Sequence, residues 1–275
     1  MFDRLLSVLA LVSRFPVKGR FRFDASRTDL YLPVVGLLPA VLALALYFAA
    51  LRLTGLHGFS VAFALFAQYM GFNLFHLDGL ADTADAFLGT ASREKRFAIL
   101  KDSRIGVYGL FAGISAPAFK FLLLCGLLRD RISASPLAYL IIFAYPVAGR
   151  FGAALIPCMA RPAKPEGLGA LIARSSALRA VLGTIAALAV WFAGGIAAAL
   201  AGPQSDMSLL SAAIAAAPFF VPPLTAGLLA AVLYAFAYKK ALGGYSGDAL
   251  GAAIETGETI CLLLTAAAFR QAAAC

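Results

Sequence analysis

Charge is scarce in this chain. Only 13% of its 275 residues are Asp, Glu, Lys or Arg, against 62% that are hydrophobic. A soluble domain carries about a quarter charged residues, so that class is excluded and a polytopic membrane protein remains. The four cysteines, Cys125, Cys158, Cys261 and Cys275, lie far apart with no CxxC pair, which indicates neither a zinc site nor a disulfide framework. Basic residues outnumber acidic ones for a net charge of +9. They are spread over the connections between apolar runs, with no stripe of interleaved aromatics, so no nucleic-acid partner is expected. No fixed period recurs and no low-complexity linker divides the chain, so 1–275 reads as one integral membrane domain.

What is abundant is long apolar sequence. Runs at 33–51, 58–77, 107–128, 136–157, 180–201, 209–237 and 249–269 each suit a spanning helix, giving an all-α bundle of about seven. The sixth is overlong and contains Pro218, Pro222 and Pro223, which are expected to kink or split it. Leu5 to Val12 is too short to span and has no cleavage pattern, so it reads as an interfacial helix held to lipid by Arg14, Lys18, Arg20, Arg22 and Arg27. Of the basic residues, 18 fall on one set of connections and four on the other, with Lys120 inside a segment. The positive-inside rule then places the N-terminus in the cytoplasm and the C-terminus outside.

The chemistry is concentrated on the basic side. Asp78, Asp82 and Asp85 follow an i, i+4, i+7 spacing, which at about 100° per residue puts them within roughly 60° on one helix face. Each alone is compatible with capping or a water-facing role; three beside buried sequence point to a shared cation. Hard oxygen ligands without Cys or paired His imply Mg²⁺ or Mn²⁺, whose shell is completed by phosphate and water, so a diphosphate substrate is expected. The stretch Ser92 to Gly106 reads as an amphipathic surface helix, with Lys101 and Arg104 as phosphate ligands beside Asp102 and Ser103. Gly243, Gly244 and Gly247 form a turn before the last helix, and Ser246-Gly-Asp248 at its N-terminus is a candidate anion contact. Asp248, Glu255 and Glu258 lie roughly within 80° of arc on that helix. The two glutamates are candidates to bind a second metal, orient Arg or Lys groups, or hydrogen-bond a polar substrate. His76 lies opposite the aspartates and reads as packed or backbone-bonded.

Together, Phe75-His-Leu-Asp-Gly-Leu-Ala-Asp-Thr-Ala-Asp85, Lys101-Asp-Ser-Arg-Ile-Gly106, Glu166-Gly-Leu-Gly169 and the block from Leu242 to Glu258 resemble the cobalamin synthase (adenosylcobinamide-GDP ribazoletransferase) family. Ser13-Arg-Phe-Pro16 and Pro33-Val-Val-Gly36 are similar too. The chain departs from the family pattern at Asn73, Leu74, Ala86, Tyr245, Ser246 and Ala249, none of which removes an acid or a base. The resemblance implies attack by a hydroxyl of α-ribazole, or its 5′-phosphate, on the phosphorus of adenosylcobinamide-GDP next to the aminopropanol arm, with GMP leaving. It further implies a prokaryotic inner-membrane enzyme with a cytoplasmic active site. Asp78, Asp82 and Asp85 are then expected to hold Mg²⁺, Lys101 and Arg104 to neutralise GMP, and Asp85 or Asp102 to take the hydroxyl proton. Substrate contacts are expected at Arg14, His76, Ser103, Gly244, Ser246, Gly247, Asp248, Glu255 and Glu258. Membrane lipid is an expected partner, and a homo-oligomer is left open. The alternatives are a membrane prenyltransferase or CDP-alcohol phosphotransferase, which also use Asp-rich helices, and an ion-coupled transporter, which would spread its acids through the bilayer depth.

Overall fold

Seven helical spans are long and apolar enough to cross a membrane: Thr28–Thr54, His57–Phe87, Val107–Arg129, Ala138–Met159, Ala177–Gly194, Val221–Leu242 and Gly247–Arg270. They come from a computed structural model that describes residues 2–14, 17, 21–129, 136–200 and 217–274. Phe15, Pro16, Lys18, Arg20, Arg131, Cys275 and the stretch 201–216, where the sixth segment was expected to begin, lie outside the described residues. The helices are α1 (Phe2–Val12), α2 (Thr28–Val35), α3 (Leu37–Thr54), α4 (His57–Gln68), α5 (Leu74–Phe87), α6 (Arg93–Ile99), α7 (Val107–Arg129), α8 (Pro136–Phe143), α9 (Tyr145–Met159), α10 (Leu168–Leu171), α11 (Ala177–Leu200), α12 (Val221–Leu242) and α13 (Gly247–Ala274). A π-helical turn, Tyr69–Asn73, joins α4 to α5 within one span. Among the described residues there is no strand, only an isolated bridge between Pro162 and Tyr245.

One sequence expectation is narrowed and one corrected. Of kinking or splitting the sixth segment, the described residues agree with the second: Pro222 and Pro223 open α12, behind a 3-10 turn at Ala217–Phe220. Proline in the first turn removes an N–H that would have no partner anyway, so it starts a helix at little cost. The surface helix after the aspartates ends at Ile99 and not near Gly106. There Lys101 and Asp102 donate their N–H groups three residues back, to Ala98 (3.2 Å) and Ile99 (2.9 Å), and Asp102 Oδ1 accepts the Arg104 N–H at 3.1 Å. The Asx turn competes with the helix and terminates it.

α1 has 11 residues and lies on the bundle, burying Ser7, Val8 and Val12. Arg4 Nε pairs with Asp24 Oδ2 at 2.8 Å, and the Asp24 N–H donates to Ser7 Oγ at 2.9 Å. At the centre runs α9, in a span that is 94% buried within the protein although it is as apolar as its neighbours. It packs against α2, α11, α12 and α13. Gly149 sets its approach to α13, because a Cβ there would stand 2.4 Å from the Ile254 carbonyl oxygen.

Three connections meet at one end of the bundle. Tyr245 donates its N–H to Arg161 O (2.9 Å) and its hydroxyl to Gly169 O (2.7 Å), and Ala163 N–H returns to Tyr245 O (2.8 Å). Arg93 Nη2 donates to Leu242 O at 2.8 Å. Burial pushes the Tyr245 hydroxyl up to about 12, so it remains a donor at any working pH.

Gly149→Ala is expected to lower stability by about 1–3 kcal/mol, the usual cost of forcing a methyl into a packed helix contact. Gly113→Ala, where nothing lies within 4 Å of the added Cβ, serves as the neutral control. Thermal unfolding in detergent distinguishes the two.

Candidate functional site

Backbone-to-backbone packing of α5 on α13 builds the site. A Cβ on Gly79 would lie 3.0 Å from Asp248 O, and one on Gly251 would lie 2.9 Å from His76 O. With no side chains between them the helices touch, and Asp78 and Asp82 of α5 come within electrostatic reach of Asp248 of α13. Asp78 is exposed, Asp82 and Asp248 are half-buried. Asp248 accepts from Ser246 Oγ at 2.9 Å. Among the described residues, neither Asp78 nor Asp82 has a hydrogen-bond or ion-pair partner, while Asp248 feels the charge of Lys164 across the smaller cavity.

Two cavities flank these carboxylates and share Gly247 and Asp248. The smaller, about 200 Å³, is lined by Phe97 and Leu100, by Lys164, Glu166 and Gly169 of the 160–176 connection, and by Ser246. The larger, about 410 Å³, is mostly apolar and includes His76 and Asp78 in its wall. His76 is buried, and among the described residues neither ring nitrogen has a partner, so of the two expected readings it is packed and not backbone-bonded. Lys164 was not singled out from the sequence. Its only signal was its place, with Arg161 and Arg174, in a loop rich in Pro and Gly.

Other expected site residues are used differently. Asp85 accepts the Gly106 N–H at 2.7 Å and the Gly109 N–H at 2.8 Å, so its carboxylate caps the start of α7 and is not a free ligand. A carboxylate is stabilised there by unpaired N–H groups and the helix dipole. Asp102 and Arg104 form a forked surface pair, with Nη2–Oδ2 at 2.6 Å. The guanidinium holds Asp102 down at about 2, which makes it too weak a base near neutrality to take the hydroxyl proton. Lys101 and Ser103 are exposed in the same turn, Lys101 directly after Leu100 of the smaller cavity. Gly244 packs on the neighbouring loop, 2.4 Å from its own would-be Cβ to Arg161 O, and takes no part in the cavity walls. Arg14 donates its N–H to Gly71 O at 3.0 Å and lines a third cavity that shares no residue with the other two.

Glu255 and Glu258 are the largest correction. Both are fully buried and engaged by protein groups, which removes them from substrate contact. Lys120 Nζ reaches Glu255 Oε2 at 2.7 Å and Glu258 Oε2 at 2.5 Å, and Arg150 Nη1 reaches Glu258 Oε1 at 2.9 Å. Tyr69 and Asn73, at the two ends of the π turn, donate to Glu255 at 2.7 and 2.8 Å, and Asn73 also donates to Glu258 at 3.0 Å. Gln68 and Tyr145 complete the cluster. Of the roles open from the sequence, orienting Lys and Arg is the one observed. The signal for the cations was partly present: Lys120 sits inside an apolar run, where an unpaired charge is costly, whereas Arg150, counted above with the connections, lies inside the span Ala138–Met159.

The family model described as cobalamin-5-phosphate synthase matches residues 4–266. An adenosylcobinamide-GDP ribazoletransferase of Klebsiella pneumoniae subsp. pneumoniae is 34% identical over 273 residues, 96% of this chain and 99% of the relative. One of Rhizobium etli is 35% identical over 245 residues, 85% of this chain and 82% of the relative. One of Escherichia coli is 31% identical over 268 residues, 94% of this chain and 96% of the relative. No solved structure matches the chain.

Lys120→Met leaves two glutamates facing one cation, and breaking such a pair is expected to cost about 3–5 kcal/mol. Adding Glu255→Gln restores neutrality and is expected to recover part of that loss. The thermal midpoints of the single and double variants in detergent check this.

Proposed function

The chain belongs to the cobalamin-5-phosphate synthase family, and from that premise we propose how its residues carry out the reaction. It is an integral membrane enzyme that transfers the adenosylcobinamide-phosphate group from adenosylcobinamide-GDP to α-ribazole or its 5′-phosphate, giving adenosylcobalamin or its 5′-phosphate and GMP. The carrying observation is the pair Asp78 and Asp82, unpartnered among the described residues and set against Asp248, which lines both cavities.

That cluster fits Mg²⁺ in donor type and in its missing counter-charge. Among the described residues no three acidic, His or Cys side chains converge on one metal position, so fewer than three carboxylates would ligate the ion and phosphate and water would complete its shell. Asp78 and Asp82 would hold it, with the charge of Asp248 nearby, and when bound it would supply neutralisation of the diphosphate. Asp85 fixes the turn in front of α7 instead. In the transfer a ribose oxygen forms a bond to the phosphorus bearing the aminopropanol ester. The bond from that phosphorus to the bridging oxygen breaks, GMP leaves with the electron pair, and the hydroxyl proton passes to water or to the released phosphate. Lys164, in the wall of the smaller cavity, and the exposed Lys101 beside it favour the leaving phosphate by charge.

The end of the bundle that carries the carboxylates also carries the Lys- and Arg-rich connections, which supports a cytoplasmic site in a prokaryotic inner membrane. Nothing favours ion-coupled transport: the deeper acids, Glu255 and Glu258, are closed off by Lys120 and Arg150.

GMP release by the purified protein, given both substrates and Mg²⁺, tests the reading. EDTA is expected to stop it. Asp78→Asn or Asp82→Asn is expected to cut turnover by about a hundredfold or more, the scale of losing a group that stabilises transition-state charge. Asp85→Asn should act mainly on thermal stability, by about 1 kcal/mol, as lost helix caps do. Undiminished turnover in both Asp78→Asn and Asp82→Asn would sink the assignment. The Asp102 carboxylate confers its stability above its ordinary range near 4 and loses it as pH falls through about 2, so it stays ionised throughout an assay. Asp102→Asn is therefore expected to keep the wild-type shape of the pH–rate profile between about pH 6 and 9.

A further inference from the structure

Resting on the transfer reaction above, we propose that the larger cavity is the acceptor subsite. It takes the benzimidazole base of α-ribazole, with His76 as the hydrogen-bonding group in its wall. His76 is 3% exposed, and among the described residues neither Nδ1 nor Nε2 has a partner. A buried polar atom left unpaired costs about 1–3 kcal/mol, so two on one ring mark a place where a partner belongs. The imidazole offers one donor and one acceptor.

The rest of the wall selects what that partner is. Leu11 and Val12 of α1, Leu32 of α2, and Leu250 and Ile254 of α13 make the cavity apolar. Phe75 adds an aromatic face, with its ring edge-on to His76 at a centroid distance of 4.5 Å. A volume of about 410 Å³ lies in the range of small-molecule sites and is too small for a corrinoid. Guanine, with several donors and acceptors, would leave most of them unsatisfied against leucine and isoleucine. A dimethylbenzimidazole has the opposite profile: a flat apolar body with one unsubstituted ring nitrogen, which accepts the His76 N–H. The remaining imidazole nitrogen is free to accept from the sugar. Asp78 and Asp248 lie in the same wall, so a riboside with its base on the leucines has its sugar at the carboxylates, where the second cavity begins.

The test uses purified full-length protein in detergent, with calorimetric titration of α-ribazole alone and steady-state kinetics in both substrates. His76→Phe keeps the ring and removes the hydrogen bonds. Leu11→Trp fills the cavity from the peripheral helix α1, so it keeps the test alive where a change in α5 disturbs folding. Both are expected to raise the Kd and KM for α-ribazole about tenfold or more while the KM for adenosylcobinamide-GDP stays within about twofold, and His76→Gln is expected to recover part of the loss. Unchanged α-ribazole binding in folded His76→Phe and Leu11→Trp overturns the assignment. So does a rise in the KM for adenosylcobinamide-GDP in place of that for α-ribazole. GMP release by the wild-type protein is read separately: its absence counts against the reaction, while loss of α-ribazole binding in His76→Phe still supports the subsite.

Discussion

Two cations and two carboxylates meet inside this bundle with no solvent between them, and the placement of the surrounding helices answers to that meeting. Lys120 comes from α7, Arg150 from α9, and Glu255 and Glu258 from α13, while the π turn sends in Tyr69 and Asn73. None of these charges is tolerable alone in a hydrocarbon layer, and together they are neutral and hydrogen-bonded. The constraint is stricter than apolar packing. A leucine core tolerates small slides, whereas distances of 2.5 to 2.9 Å from charge to charge do not.

Along α13 this locked cluster gives way, toward the helix start, to Asp248, and there the electrostatic logic reverses. Near the connections the acids outnumber the bases and Asp78 and Asp82 form no ion pair among the described residues, with the smooth contact at Gly79 and Gly251 holding them together. One helix thus carries a satisfied group of charges that fixes the frame and an unsatisfied group that awaits a ligand. Because both lie on α13, the first group sets where the second is held.

Much of this was legible in the sequence for a simple reason. A bilayer imposes a length and a polarity on every span, so all seven appeared as apolar runs, and the carboxylate spacing already named a face. The misses and the open alternatives are cases where a local pattern has two physical solutions. A proline pair within an apolar run either bends a helix or begins one, and Pro222 and Pro223 begin it. Three aspartates on one face need not share one task. Whether Asp85 faced a ligand or the N–H groups of Gly106 and Gly109 depended on where α7 started relative to α5, which no spacing within α5 contains. Glu255 and Glu258 were recognised as costly, but their partners lie more than a hundred residues away in sequence.

The π turn at Tyr69–Asn73 adds a residue to its helix between the part that enters the membrane and the part that bears Asp78 and Asp82. One residue is worth about 100° of rotation, so the aim of the carboxylates is stored in the length of the chain as well as in its side chains. A lineage can therefore exchange residues around this turn and keep the aim. Gain or loss of a single residue there would swing the acids off α13, so the number of residues in the turn matters as much as their identity.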